Sequence, residues 1–396
     1  MNVSKPDYMK TYILIPVLLS ACLLMQAQII KPHCHEEWVW LDGNYPCENY
    51  DEWVLVFEDE FDGDELDYSR WRNDYPWGRN LYCAPDVQYF TDGENIEVAE
   101  GFLKFIVKAD SVYERVVPHW KDDDTLYCGN LPAGLNKRWF GYTSGMIFSR
   151  QQFIHGKFEI RCTVPEIGGL WPAFWLYGRC AQEIDVFEFM SDYNRPFFNN
   201  RKIDFTYHRK ADCNDAKSMH CNYNRFFSSD MTLAPHTFSV EWDEHRIIWS
   251  VDGKEVLRKS KWFNSKEQEM FLCGPIAPGY YAVDRIFPSD DEPMSVIAGI
   301  GVRENPTASF PCQMDIDYIR VYQKINSIKT VRIRSNADIK GSTVAGKEII
   351  VAGDSCMVHI SRGEYLDLIA RENIILDTGF SVERGVHFTA RTPGIK

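Results

Sequence analysis

The sequence has no excess of basic residues. Its 396 residues include 43 Lys and Arg against 57 Asp and Glu, so the formal net charge is −14 at pH 7. Phosphate backbones and anionic membrane surfaces repel a chain of this charge. Nucleic acids and anionic membranes are therefore excluded as main partners.

The sequence also lacks an apolar run long enough to cross a bilayer comfortably. The run YILIPVLLSACLLM, Tyr12 to Met25, follows two lysines and has the length of the apolar core of a secretory signal. We expect residues 1–27 to be a signal peptide cut after Ala27. The alternative is a lipoprotein signal, LSAC, that leaves a lipidated Cys22 as the mature N-terminus. Both predict an exported protein, whether secreted, periplasmic, or anchored at the outer membrane or cell surface.

No cysteine pair has the CxxC spacing of a zinc site, although the chain has twelve cysteines. Export favours disulfides instead, and two pairs bracket short polar segments that are predicted as loops. We therefore expect the bonds Cys34–Cys47 and Cys213–Cys221. Without Cys22 an odd number of cysteines remains, so at least one thiol is free or pairs between chains.

Sustained helical periodicity is absent as well. Short alternating segments such as GKFEIRCTV and RIIWSVDG are separated by Gly, Pro, Asn and Asp, which predicts an all-β sandwich of two sheets. We expect an N-terminal extension at 28–51, the sandwich at 52–324, and a small C-terminal β domain at 329–396. The Lys/Arg-rich stretch 195–225 is predicted to be a long loop over one end of the sandwich.

Carboxylates are concentrated in one apolar segment, EIDVFE. Strand alternation places Glu183 and Asp185 on one face, and a β-bulge at Val186–Phe187 would bring Glu188 to the same face. By itself this pattern also suits an edge strand with a solvated acidic face. Twelve Trp and twenty Tyr favour sugar binding, because aromatic rings stack on pyranose C–H faces.

Several segments in order resemble glycoside hydrolase family 16, laminarinase-like type. They are LVFEDEFDGDELDYSRW, VQYFTDGENIEVAEGFLKF, GKFEIRCTVPEIGGLWPAFWLYG, EIDVFE, HTFSVEWDEHRIIWSVDGKEV and MDIDYIRVYQ. The resemblance implies a concanavalin-like jelly roll with a substrate cleft on its concave sheet. The tail resembles, more loosely, small C-terminal β modules of secreted bacterial proteins.

The family resemblance also implies roles for the acids. Glu183 corresponds to the nucleophile of a retaining endo-glycosidase, Glu188 to its acid/base, and Asp185 to the residue that orients Glu183. No catalytic cofactor is implied. Expected sugar contacts are Trp171, Trp175, His208, Asn95 and Arg79. As alternatives, the two tryptophans are core residues, His208 and Arg79 are solvated, and Asn95 stabilises a turn.

The resemblance implies a structural calcium ion as well, with Glu60 and Asp317 at the positions of its side-chain ligands. A solvated Glu60 and a turn-facing Asp317 are the alternative.

The expected substrate is a neutral β-1,3- or mixed-linkage β-glucan. Two other functions stay open: hydrolysis of a marine galactan (agar, porphyran or carrageenan type), which the basic stretch 195–225 favours, and non-catalytic carbohydrate binding. Lipid on Cys22 or the C-terminal domain would provide attachment to the outer membrane or cell surface. Nothing in the sequence separates hydrolysis from transglycosylation.

Overall fold

A computed structural model describes most of the chain after residue 35. The described residues are 36–45, 50–81, 86–116, 137–210, 212–214, 218–264, 269–270, 274–288, 292–326, 330–339, 343–353, 356–362 and 364–392. The predicted signal peptide, Cys22 and the expected Cys34–Cys47 bond lie outside them. Among the described residues, no helix has both the length and the apolar character that a membrane crossing requires. Residues His33–Lys396 form one compact unit.

One sheet, here called the cleft sheet, has seven antiparallel strands. Numbered by position in the chain, its strands are, from edge to edge, β15 (Met219–Phe226), β14 (Lys202–Arg209), β13 (Glu183–Glu188), β12 (Leu170–Gly178), β22 (Met294–Val302), β10 (Met146–Phe153) and β3 (Trp71–Arg72).

A second antiparallel sheet, the outer sheet, has eight strands. They are β18 (Lys254–Ser260), β17 (Arg246–Val251), β16 (His236–Trp242), β11 (Gly156–Thr163), β23 (Cys312–Asn326), β6 (Phe102–Val107), β5 (Ile96–Ala99) and, paired with β23, β2 (Tyr50–Asp59).

The core lies between these two sheets. Alternate residues of β11 are buried, as period-2 alternation requires of a strand with one face inward. From the cleft sheet, Phe187 packs on Phe238 of the outer sheet with ring centroids 4.4 Å apart. The predicted all-β sandwich is thus confirmed.

Smaller elements flank the sandwich. Sheet strands β1 (Glu36–Tyr45), β21 (Gly274–Asp284), β19 (Trp262–Phe263) and β20 (Glu269–Met270) form a third sheet; β7 (Val112–Arg115) pairs with β8 (Lys137–Phe140), and β4 (Gln88–Phe90) with β9 (Tyr142–Ser144). Short 3₁₀ helices occupy Arg179–Ala181, Pro196–Arg201 and Asn336–Asp338.

The prediction of a long loop at 195–225 is wrong. Much of that stretch forms a 3₁₀ helix and the strands β14 and β15, which extend the cleft sheet beyond β13. Inward Ile203, Phe205 and Tyr207 are buried, so the basic side chains around them belong to a packed strand.

The C-terminal strands pair in parallel, unlike those of the two large sheets. They are β24 (Thr330–Ile333), β25 (Thr343–Val351), β27 (Tyr365–Leu376) and β29 (His387–Arg391) in one sheet, and β26 (Val358–Ile360) with β28 (Phe380–Val382) in another. Thr330 pairs with Glu348 and Tyr365 with His387, so each strand lies beside one roughly twenty residues further on, as in a solenoid. Their inward residues form a separate apolar core.

Candidate active site

Strand β13 contains the predicted bulge. Trp175 of β12 pairs with Asp185, and the next pair is Phe174 with Phe187, so Val186 is the extra residue. The register against β14 shifts within the same stretch. The bulge is therefore confirmed, and it is the reason why an acid at an odd spacing can reach the same face.

The three acids of β13 line one open cleft of about 540 Å³. His208 of β14 pairs with Glu183 across the strands, and its Nε2 lies 3.3 Å from Asp185 Oδ2. Ligand atoms of Glu183, Asp185 and His208 all lie within 4.8 Å of one another. Strand pairing thus gathers Glu183, Asp185, Glu188 and His208 in one place.

This arrangement raises the pKa of each acid. Burial is the largest cause, and it raises the pKa of Asp185 to about 7. Burial and the Asp185 charge raise the pKa values of Glu183 and Glu188 well above the usual range, while His208 opposes the rise. The cluster therefore retains protons near neutral pH.

Glu188 is held by hydrogen bonds from two neighbouring strands. Trp171 Nε1 of β12 donates to Glu188 Oε1 at 2.9 Å, and Thr206 Oγ1 of β14 lies 3.4 Å from Oε2. Asn222 in turn donates to Thr206 Oγ1 at 2.9 Å. Glu188 is thereby oriented from both sides, by residues of which the sequence indicated only Trp171.

Trp249 fixes the backbone of the cluster from the outer sheet. Its Nε1 donates to the main-chain carbonyl of Asp185 at 2.8 Å, next to the bulge, and the indole is fully buried. The sequence predicted only a strand here, because a Trp in an apolar strand carries no sign of a contact across the sandwich.

Aromatic residues form one wall of the cleft. Tyr75 stacks on Trp77 with ring centroids 4.8 Å apart. Trp171 and Trp175 both line the cleft, as the family resemblance implied, but Trp175 is only 8% exposed and packs largely into that wall. The wall consists of Tyr75, Trp77, Phe90, Trp175 and Tyr177.

Asn95 does not lie among the described residues that line the cleft. It is buried, and its Nδ2 donates to Ile106 O at 2.5 Å and to Thr143 Oγ1 at 3.2 Å. These contacts fasten a turn between strands. The structure therefore places Asn95 in the alternative role and not in a sugar contact.

Arg79 also lies outside the cleft lining. Its Nη1 donates to Asn73 O at 3.0 Å and to Thr91 O at 2.6 Å, and its Nη2 lies 2.6 Å from Asp92 Oδ1. The guanidinium is thus occupied in joining two backbone segments, which corrects the expected sugar contact.

The expected calcium ligands do not fit a calcium site. Both carboxylate oxygens of Glu60 accept hydrogen bonds from Arg320, at 2.7 and 2.8 Å, and Asp317 accepts one from Arg161. The carboxylate oxygens that a calcium ion would need are thus already paired with guanidinium groups. The sequence could not indicate these partners, because each arginine lies far along the chain from the acid that it contacts.

The disulfide of this region differs from the expected one. Cys213 bonds to Cys180, not to Cys221, which is itself disulfide-bonded. Cys180 precedes β13 and Cys213 follows β14, so antiparallel pairing brings them together, with Cα atoms 4.6 Å apart. Sequence proximity was a poor guide because pairing of the sheet decides which ends meet.

Comparison with known proteins agrees with this geometry. The model of "Glycosyl hydrolases family 16" matches residues 118–320, about half of the chain. The chain belongs to this family.

One relative is Glucan endo-1,3-beta-glucosidase A1 of Niallia circulans, to which the family 16 chain is 27% identical over 298 residues. The match covers 68% of this chain and 38% of that protein. The chain is also 28% identical over 303 residues to Beta-glucanase of Rhodothermus marinus. This match covers 68% of this chain and 85% of that protein. The chain thus spans well under half of the first relative.

A solved structure described as "Prominent members of the human gut microbiota express endo-acting O-glycanases to initiate mucin breakdown" shares the fold. Its TM-score is 0.51 at 21% identity, and the match covers 71% of this chain and 93% of that one. This likeness supports the jelly-roll sandwich.

Proposed function

We propose that the protein is an exported, retaining, endo-acting glycoside hydrolase that cleaves a β-1,3- or mixed-linkage β-glucan. The convergence of Glu183, Asp185 and Glu188 on one side of a bulged strand, in an open cleft with an aromatic wall, carries the proposal.

In the proposed reaction, Glu183 attacks the anomeric carbon while Glu188 protonates the departing glycosidic oxygen. This step forms a glycosyl ester on Glu183 and releases the first product. Glu188 then takes a proton from water, whose oxygen attacks the anomeric carbon; the bond from this carbon to the Glu183 oxygen breaks, and Glu183 leaves as a free carboxylate. Each step uses only side chains of this chain, so the reaction needs no cofactor.

The electrostatics of the cluster support a protonated general acid and do not distinguish between the two glutamates. The acid must hold a proton at working pH, and burial together with the Asp185 charge favours that state at Glu188. Asp185 lies between the two glutamates and orients Glu183. Which glutamate attacks follows from the family resemblance, since both pKa values are raised.

The cleft lining supports a neutral substrate. The described lining includes four acids, Asp86 among them, and neither Lys nor Arg. Without Lys or Arg, the described lining has no fixed cation to pair with the sulfate groups of a galactan. The names of the relatives, an endo-1,3-β-glucosidase and a β-glucanase, point the same way.

The basic stretch that favoured a galactan is partly neutralised. Arg195 pairs with Asp192 at 2.9 Å, and Lys202 with Asp204 at 2.7 Å. Galactan hydrolysis therefore stays only as an arm of the assay, although a kappa-carrageenase of Pseudoalteromonas carrageenovora is 24% identical over 257 residues.

Export is proposed from the N-terminal signal. The Cys180–Cys213 bond supports it, because disulfides persist in oxidising compartments. Attachment through lipid on Cys22 or through the C-terminal domain is part of the same proposal. Metabolic labelling with palmitate would detect the lipid, and a Cys22→Ser protein that keeps the label would contradict it.

The experiment is a hydrolysis screen on laminarin, lichenan, agarose, porphyran and carrageenan with sizing of the products. We expect medium-length oligosaccharides from laminarin or lichenan. Cleavage of sulfated galactans alone would replace the proposed substrate, and binding without cleavage of any polymer would favour a lectin.

The acids are tested by Glu183→Ala and Glu188→Ala, with exposed Glu94→Ala as the matched control. We expect both variants to lose about 10³-fold or more in kcat, since each takes part in bond making. Azide should rescue Glu183→Ala with inversion at the anomeric carbon. Equal and unrescuable loss in both would leave the roles unsupported.

A further inference from the structure

Hairpin β7–β8 exposes two aromatic side chains next to each other. Trp139 is 69% exposed and Tyr113 45%, and they form a directly opposed cross-strand pair. Their ring centroids lie 5.4 Å apart with planes tilted by 48°. Large aromatic rings exposed side by side are a feature of binding surfaces.

The other face of the hairpin is packed and fixed. Phe140 and Val116 are buried in a small apolar cluster with Tyr89 and Val112. The Arg138 guanidinium lies 4.5 Å from the centroid of the Phe140 ring. Because alternate strand residues face opposite ways, this anchoring leaves the aromatic pair outward on a rigid support.

Two hydrogen bonds fasten the hairpin to the rim of the cleft. Arg138 Nη2 donates to the carbonyl of Asp86 at 2.7 Å, and Asn80 Nδ2 donates to the carbonyl of Arg115 at 2.9 Å. Asp86 lines the cleft, and so does Trp77, whose Nε1 donates to Asn80 O at 3.2 Å. The hairpin is thus attached to two segments that contribute residues to the cleft.

We propose that Tyr113 and Trp139 form a distal glycan-binding subsite, on which a sugar of the polysaccharide stacks after the chain leaves the cleft. This inference rests on the proposed function. Its ligand is a neutral pyranose polymer, whose C–H faces suit aromatic rings. Lys137 shares the outer face and can donate hydrogen bonds to sugar hydroxyls.

Such a subsite contacts only substrates that are long enough to span both the cleft and the hairpin. A short oligosaccharide fills the cleft and does not reach the hairpin, whereas a polymer gains the additional contact. The gain should therefore appear in KM for long chains and be small in the chemical step.

The test compares the KM for polymeric laminarin with the KM for a laminari-oligosaccharide just long enough to be cleaved. In Tyr113→Ala/Trp139→Ala we expect the ratio of polymer KM to oligosaccharide KM to rise roughly tenfold, the product of two modest contacts. In Trp139→Phe, made in the otherwise unchanged chain, the ratio should stay close to that of the wild type, because phenylalanine keeps an aromatic ring.

Trp40→Ala is the matched control. Trp40 is 57% exposed and contacts Tyr280 at 5.2 Å in the third sheet, and neither residue lines the cleft. We expect no change of the ratio in this variant. An equal rise would show that exposed aromatic surface in general causes polymer adsorption, and would overturn the proposal.

Two other results would overturn it. They are an unchanged ratio in the double variant, whether or not both KM values rise together, and a polymer affinity that 0.5 M salt abolishes, which would indicate an anionic ligand. If the wild type cleaves no polymer, the proposed function fails instead. Affinity electrophoresis of wild type and double variant in laminarin gels would then still decide the subsite.

Discussion

Trp249 shows how far from the cleft a single residue can act on the acid cluster. We expect Trp249→Phe to lower kcat about tenfold, because the carbonyl of Asp185 loses its 2.8 Å donor and the bulge can shift. The KM should change little, since Trp249 is not in the cleft lining. Steady-state kinetics with the preferred glucan measures both.

The matched control is Trp242→Phe. Trp242 is equally buried on the adjacent strand, and its Nε1 has no hydrogen-bond partner among the described residues. It should lose similar stability with kcat retained. If the two variants lose kcat equally, packing and not the hydrogen bond explains the effect.

The acid cluster should also make stability depend on pH. Burial raises the folded pKa of Asp185 to about 7, above its unfolded value near 4. A group with a raised folded pKa contributes stability that is present below the unfolded pKa and is lost as pH rises through the folded pKa. We expect the Tm to fall between about pH 4 and 7 by more in the wild type than in Asp185→Asn, measured by thermal denaturation. Parallel plots of Tm against pH would show that ionisation of the cluster costs the folded state no stability.

At this scale the sequence predicted that the three acids share one face of β13, and all three line the cleft. Residue type and alternation suffice when a side chain acts on its own strand. They failed for Asn95 and Arg79. Both residues match the family motif, but their side-chain nitrogens donate to nearby backbone carbonyls. They gave no sign of Trp249, because its partner lies 64 residues away across the core.

At the scale of elements, the turn before β13 depends on the Cys180–Cys213 bond. Cys180 and Ala181 have left-handed φ values of 57° and 51°, and Lys210 N donates to Cys180 O at 2.9 Å. Ala181 lines the cleft. The bond therefore ties the entry of the catalytic strand to the end of β14.

We expect Cys180→Ser/Cys213→Ser to lose about 3–4 kcal/mol of stability, the loop-entropy estimate for a separation of 33 residues. The KM should rise because the cleft edge loosens. Denaturant titration and kinetics check both, with Cys312→Ser, a free thiol, as the control. An unchanged midpoint would contradict the structural role of the bond.

The stretch 195–225 shows why the element scale was only partly predictable. The stretch is polar and rich in Lys and Arg, and this led to the expectation of a loop. Yet KIDFTYHR alternates, and its buried Ile203, Phe205 and Tyr207 mark a strand. Period-2 alternation should outweigh charge wherever the two conflict.

At the scale of the whole molecule, the C-terminal domain packs against the sandwich. Gln151 of β10 donates to Asp367 Oδ2 at 3.1 Å with both residues buried, and Arg391 Nη2 donates to Val56 O at 3.0 Å. In the described cleft lining, no residue lies beyond Gly301. The domain therefore supports the sandwich without shaping the cleft.

We expect truncation after residue 328 to lower the Tm by several degrees, because it uncovers Gln151 and removes the contacts of Arg391. The kcat on soluble oligosaccharides should stay within about twofold of the full chain. Differential scanning calorimetry and kinetics test this. A folded, inactive truncated protein would show that the domain contributes to the cleft.

The parallel pairing of this domain was not predictable from the short apolar runs. Such runs show that strands exist, but direction depends on which strands meet, and here β25, β26 and β27 each pair with the second strand along rather than with the next one. The two large sheets were easier, since antiparallel neighbours joined by turns are the usual outcome of many short strands.

The most direct test of the account is to trap the glycosyl-enzyme. An activated 2-deoxy-2-fluoro β-glucosyl oligosaccharide should react once with the protein, and peptide mass mapping should place the sugar on Glu183, because that carboxylate is the proposed nucleophile. The label should be absent from Glu183→Ala. A label on Glu188, or steady turnover of laminarin without any label on β13, would contradict the central claim.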